Sequence, residues 1–217
     1  MNPVDLATIV AVNVAGAASP GPDVVLLTRM ATRSRKHALA AAVGIHVGVL
    51  MWTSLTVFGA AALLTAFPWL LELIQVLGGS WILYMGISSV RQGWRDRLDP
   101  PLDLEEAVQR LGSVRSAFTT GVATNLSNPK IVLFLAALVA PLLPTSPTLG
   151  TALIVIVALW LSSFVLFMAY CMLVSTERVR RKLFSAGPYI DMGAGAFFIV
   201  AGTLLILSLI HISERAG

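Results

Sequence analysis

The chain has 217 residues, of which 57% are apolar and only 12% charged, with a formal net charge of +4. Soluble domains carry roughly twice that charged share, so this composition excludes a soluble globular protein and points to an integral membrane protein. The basic residues sit in short stretches between apolar runs, which argues against nucleic acid as a partner, and the single cysteine, Cys171, excludes both an internal disulfide and CxxC redox chemistry.

A membrane-spanning helix needs about 20 mostly apolar residues. Six runs meet that need, at about 6–28, 38–64, 69–91, 117–141, 148–174 and 189–212. The first is read as a retained span rather than a signal peptide, because residues 1–12 contain no Lys or Arg. Pro68 opens the third span, Pro141, Pro144 and Pro147 mark the loop after the fourth, and Gly187-Pro188 precedes the sixth.

Span one contains Ser19-Pro20-Gly21-Pro22-Asp23. Proline removes a backbone donor, and two prolines around a glycine should unwind a turn. In lipid the freed carbonyls need protein partners, so a broken helix is expected to face a cavity. Asp23 is either a cap on the resumed helix or a titrating carboxylate.

In span two, His46 lies between Gly44 and Gly48. It is a candidate proton carrier beside Asp23, or a satisfied structural histidine. The Gly44-x-x-x-Gly48 spacing allows close helix approach, either within the bundle or at a homodimer face.

Between spans three and four, residues 92–116 form the longest connection, with Asp99-Pro100-Pro101 followed by an amphipathic stretch at 102–108. Its acidic and basic residues nearly balance, as in a solvated linker.

Span four carries Asn125, Asn128, Pro129 and Lys130. A lysine at mid-span costs about 2.5–3.5 kcal/mol to insert, so Lys130 should face the interior with a partner. Asp23 is the nearest acidic candidate by depth, and a substrate carboxylate is the other.

The remaining Lys and Arg residues, Arg215 excepted, all fall in the first, third and fifth loops. Those loops should be cytoplasmic, which leaves both termini periplasmic. Pro20 and Pro129 are 109 positions apart, and shifting the first three spans by that distance lands them near the last three. An odd number of spans repeated in this way gives halves of opposite direction, as in secondary transporters with a midplane site.

The expected fold is therefore an all-α polytopic membrane protein. One transmembrane domain, 1–217, holds six helices as two inverted three-helix repeats, with broken helices in spans one and four. The halves are 1–91 and 117–217, joined by a cytoplasmic linker at 92–116. Candidate transport residues are Ser19, Pro20, Gly21, Pro22, Asp23, Asn125, Asn128, Pro129 and Lys130. No catalytic set, metal-ligand spacing or cofactor motif is visible, so an enzyme is not expected. A secondary transporter is the first reading. A small-solute channel is the second, although no rings of like charge or filter motif are present.

These motifs together resemble the LysE/RhtB superfamily of amino-acid exporters along essentially the whole chain. The resemblance rests on Ser19-Pro20-Gly21-Pro22-Asp23 with Val24-Val25-Leu26-Leu27 and a basic loop, on Gly44 and Gly48, and on Leu77 to Gly86. It extends to Phe118-x-x-Gly121 leading into Asn128-Pro129-Lys130. Many relatives carry an acidic residue directly after the second glycine of span two, where this chain has Val49. The resemblance implies an exporter of amino acids or related small metabolites in the bacterial inner membrane, driven by protons, with the substrate, protons and the lipid bilayer as its partners.

Overall fold

The computed structural model describes residues 2–19, 21–59, 69–100, 104–135, 139, 142, 148–179 and 186–215, and the described residues contain helices and no strands. In chain order the helices are α1 (Pro3–Ala18), α2 (Pro22–Ala31), α3 (Arg35–Val57), α4 (Trp69–Leu98), α5 (Leu104–Gln109), α6 (Val114–Leu126), α7 (Pro129–Phe134), α8 (Leu149–Val174) and α9 (Gly187–Arg215). Each apolar run falls on a helix or on a broken pair. By length and composition α3 and α8 can each cross a membrane alone, and α1 with α2, bent by 61° at their break, adds a third if the pair is one span.

Local chemistry sets where the helices begin. Asn2 caps α1 through a reciprocal box, accepting from the Val4 amide at 2.7 Å while Asp5 accepts from the Asn2 amide at 3.2 Å. Ser34, Ser113 and Thr148 cap α3, α6 and α8. The run of α4 ends at Asp99-Pro100, because proline disfavours helix in the residue before it. That end lies seven residues past the boundary expected at 91. Nothing between 91 and 98 breaks a helix, and Asp96, fully buried, is held by ionic partners.

Two seams of small residues bring helices into backbone contact. A methyl group added at Gly44 would strike the Phe118 carbonyl, and one at Gly121 would strike the Ala41 carbonyl. The Gly44-x-x-x-Gly48 face is thus filled by α6 of the same chain, so the homodimer reading of that motif does not hold: the space that a second copy would need is occupied.

The second seam joins α4 and α9. Gly79, Gly86 and Gly93 recur every seven residues along α4, opposite Gly202, Gly195 and Pro188 on α9. A methyl at Gly86 would lie 2.7 Å from the Ile199 amide nitrogen and 2.8 Å from the Gly195 carbonyl. The contacts advance along one helix as they retreat along the other, so the pair is antiparallel. Small residues at such a seam let backbones approach and gain dispersion contact.

The buried apolar side chains form two clusters. One holds Leu26, Leu27 and Met30 of α2 against Ala38, Ala41, Ala42 and Ile45 at the start of α3. The other holds Ile9, Val57, Leu135, Val139 and Leu159 at the opposite end. The two helix breaks lie between them.

Candidate functional site

The first break falls between α1 and α2. Ser19 ends α1 with extended backbone angles, Gly21 is fully extended, and Pro22 starts α2 at the position where a missing N–H costs nothing. Asp23 follows in the first turn of α2, where the helix dipole favours a negative charge. Pro20 lies outside the described residues, so the expectation that it faces Pro129 across the bundle does too.

The second break falls between α6 and α7. Pro129 starts α7, and Asn128 before it is extended, as proline requires. The Asn128 side chain caps α7 by accepting from the Lys130 amide at 3.0 Å. Gly78 of α4 packs against the Ser127 carbonyl so closely that a methyl there would clash with it.

These breaks bring the residues together. One oxygen of Asp23, Oδ2, accepts from Asn125 Nδ2 at 2.9 Å and from Asn128 Nδ2 at 3.1 Å. The other oxygen, Oδ1, is buried without a hydrogen-bond partner, as is Asn125 Oδ1. Buried polar atoms are normally paired, so the unpaired Asp23 oxygen, on a residue that lines the cavity described below, is able to take a donor.

Lys130 does not form the expected ion pair with Asp23. Its Nζ donates instead to the Ser19 carbonyl at 2.6 Å. The physical reason lies in the first break: proline leaves the end of α1 with unsatisfied carbonyls, and a lysine from the facing break reaches one of them. The negative end of the α1 dipole favours the same placement. Gly21 leaves the lysine its path, since a methyl there would stand 3.0 Å from Lys130 Cδ and 3.2 Å from Nζ.

Asp23, Asn128, Lys130 and Gly21 line one cavity of about 50 Å³. Its remaining wall comes from α1 (Asn13, Gly16), α3 (Val49, Thr53), α7 (Phe134) and α8 (Ser163, Phe167). Val49 is thus on the cavity wall. About 150 Å³ admits benzene in an engineered protein cavity, so this space must widen to take a molecule the size of an amino acid.

His46 is not on that wall. It is fully buried behind it, hydrogen-bonded through Nδ1 to the Ala42 carbonyl at 2.8 Å and enclosed by the edges and faces of Trp160, Phe164 and Phe167. Trp160 Nε1 donates to the His46 carbonyl at 2.9 Å.

Sequence reasoning passed over Asn13. Its Nδ2 donates to the Leu159 carbonyl at 2.9 Å and to Ser162 Oγ at 3.0 Å, which ties α1 to α8 at the cavity wall. An asparagine within an apolar run is a readable signal for an inward-facing position. Asp96 and Asp191 were also passed over. Both are fully buried, and they bind Arg29, Arg33 and Arg110. Arg110 also meets Glu106 at 2.7 Å, and its carboxylate partners hold its guanidinium more firmly in the charged form.

Among the described residues no cluster of His, Cys, Asp or Glu could hold a metal ion. The chain is 28% identical over 207 residues to a threonine efflux protein of Escherichia coli strain K12, covering 93% of this chain and 97% of that one. It is 26% identical over 204 residues to an uncharacterized membrane protein of Haemophilus influenzae, covering 94% and 96%. It is 28% identical over 159 residues to the chemotactic transduction protein ChpE of Pseudomonas aeruginosa, covering 72% and 73%. No solved structure matches. The pattern of the LysE type translocator family matches residues 14–209, which include both helix breaks and every residue described around the cavity except Asn13, and the chain belongs to that family.

Proposed function

We propose that this protein exports amino acids or closely related small metabolites across the bacterial inner membrane as a proton-coupled secondary transporter. Membership of a translocator family makes it a membrane transporter rather than an enzyme. The finer reading has six spans in two inverted three-helix halves, with both termini periplasmic. The alternation of basic loops and the matched helix breaks support that arrangement.

One observation carries the proposal: Asp23 and Lys130, from opposite helix breaks, line the same cavity without neutralising each other directly. An amino acid presents an ammonium and a carboxylate a few ångströms apart. The free Oδ1 of Asp23 suits the ammonium, and Lys130 suits the carboxylate once it leaves the Ser19 carbonyl. The same carboxylate is the group we assign to carrying the proton, because its second oxygen is free to accept one. The residue set for transport is Ser19, Gly21, Asp23, Asn125, Asn128 and Lys130, with Pro20, Pro22 and Pro129 maintaining the breaks. A channel is less well supported, because Leu26, Leu27, Ala41 and Ile45 pack together as buried apolar side chains on the basic-loop side of the breaks.

The relatives named threonine efflux proteins make threonine the first substrate to test. Purified protein in proteoliposomes should move labelled threonine, or another member of an amino-acid panel, with saturation and acceleration by a proton gradient. Flux that rises linearly with concentration and ignores the gradient would favour the channel. An absence of flux across the whole panel would defeat the amino-acid reading.

A further inference from the structure

The ion pairs at the basic-loop end of the bundle lie apart from the cavity. Arg29 Nε donates to Asp191 Oδ1 at 2.9 Å. Arg33 donates to Asp96 Oδ2 at 2.9 Å and also reaches Asp191 Oδ2. Arg110 donates to the other oxygen of Asp96 at 2.7 Å, and Gln92 joins it at 2.8 Å. These bonds fasten α2, which carries Arg29, and the turn after it, which carries Arg33, to α4 and α9, which carry Asp96 and Asp191. The glycine seam already holds α4 and α9 together, so the ion pairs tie α2 to a helix pair that is itself closely packed.

The cavity wall draws mainly on other helices, α1, α3, α7 and α8, and no residue of α4 or α9 lines it. Asn13 and Gly16 of α1, Val49 and Thr53 of α3, and Lys130 and Phe134 of α7 line it, on the side of the breaks away from the ion pairs. Toward the basic-loop end lie the packed side chains of Leu26, Leu27, Met30 and Ala31, and beyond them the ion pairs. An exporter must load from the basic-loop side, and there the described residues between the cavity and the ion pairs are packed and buried.

We propose that Arg29 and Arg33 with Asp96 and Asp191 form the inner gate of the transport cycle, and that α2 swings away from the α4–α9 pair to admit substrate to Asp23 and Lys130. This rests on the export reading for its purpose, although the gate can be tested without any transport measurement. Desolvated ion pairs suit the task. They hold in a fixed geometry, yet water entering on opening compensates the separated charges, so they contribute less net stability than their number suggests. A gate needs that property, because two conformations must lie within a few kcal/mol of each other to interconvert.

The test uses a full-length protein bearing Cys171→Ser and Val24→Cys, with the new thiol on the cavity wall. A membrane-impermeant thiol reagent is applied to inside-out and right-side-out vesicles. With the gate residues intact, reaction from the basic-loop face should be slow. Asp191→Asn removes the shared anion, and the rate from that face should rise about tenfold or more, with no rise from the opposite face. Arg29→Gln, which removes a single and partly exposed partner, should give a smaller rise in the same direction and carries the measurement if Asp191→Asn does not fold. Arg29→Lys, which keeps the charge, should stay near the slow rate. Fast reaction from the basic-loop face with every gate residue intact would overturn the proposal. So would an unchanged rate in a folded Asp191→Asn or Arg29→Gln protein. A failed threonine assay with these labelling results intact would count against the substrate and leave the gate standing.

Discussion

Lys130 and Asp23 meet their surroundings through different partners, and substitution can separate their roles. Lys130→Met keeps the apolar stem and loses the charge. Because Lys130 holds the Ser19 carbonyl rather than Asp23, its removal strands one backbone acceptor, a cost of about 1–3 kcal/mol, and leaves Asp23 with both asparagine donors. The variant should therefore accumulate in the membrane at near the parental level while losing export, as read by immunoblot and substrate efflux. Normal export by the well-folded variant would remove Lys130 from the site. Asp23→Asn keeps an oxygen to accept from Asn125 and Asn128, so it should also fold, and its residual flux should no longer respond to a proton gradient. Both positions were legible in the sequence because each is a charge inside an apolar run beside a proline. Their pairing was not legible: depth alone matched the two charges, whereas the freed carbonyl of Ser19 competes for the lysine and is invisible until the break is drawn. The same limit hid Asp96 and Asp191, since acidic residues beside basic loops look solvated until their burial is seen.

Helices pack here by the absence of side chains. At Gly86 the added atom would meet backbone on two sides, and backbone cannot rotate out of the way as a side chain can. Gly86→Val should lower stability in detergent by about 1–3 kcal/mol, measured by thermal or denaturant unfolding, as for other overpacking changes. Gly193, also on α9, has nothing within 4 Å of the corresponding atom, so Gly193→Ala should be close to neutral. Equal losses at the two sites would show that helix propensity, not contact, sets the effect. Gly44-x-x-x-Gly48 was readable as a close-packing motif from its spacing, but spacing does not say which helix fills it. The seven-residue recurrence of Gly79, Gly86 and Gly93 was readable in the same way, yet its partner on α9 lies about 100 positions along the chain, and no local pattern reports so distant a contact. The proline breaks were the most legible elements, because proline acts on its own helix whatever its neighbours do.

Across the whole molecule, the proposed orientation rests on charge placement rather than on any single contact. Reporter fusions after residues 66 and 145 should read as periplasmic and one at 105 as cytoplasmic; a cytoplasmic reading at 66 or 145 would end the six-span arrangement. The two halves are proposed from a faint repeat in the sequence, whereas the cross-ties of Arg29 and Arg33 to Asp96 and Asp191 leave no pattern there. Those cross-ties bear on how the protein is made. Asp191 and the glycine face of α9 emerge late from the ribosome, long after Arg29, Arg33 and the facing side of α4 have entered the membrane. Until then α4 waits with a backbone-lined groove and Asp96 lacks the neighbour with which it shares Arg33. Assembly must accordingly be completed after synthesis of α9, by a helix that arrives last and docks against one of the first. A nascent chain halted before residue 187 would be inserted but unclosed, and membrane quality control would have a simple mark by which to recognise it: an arginine pair still waiting for its second aspartate.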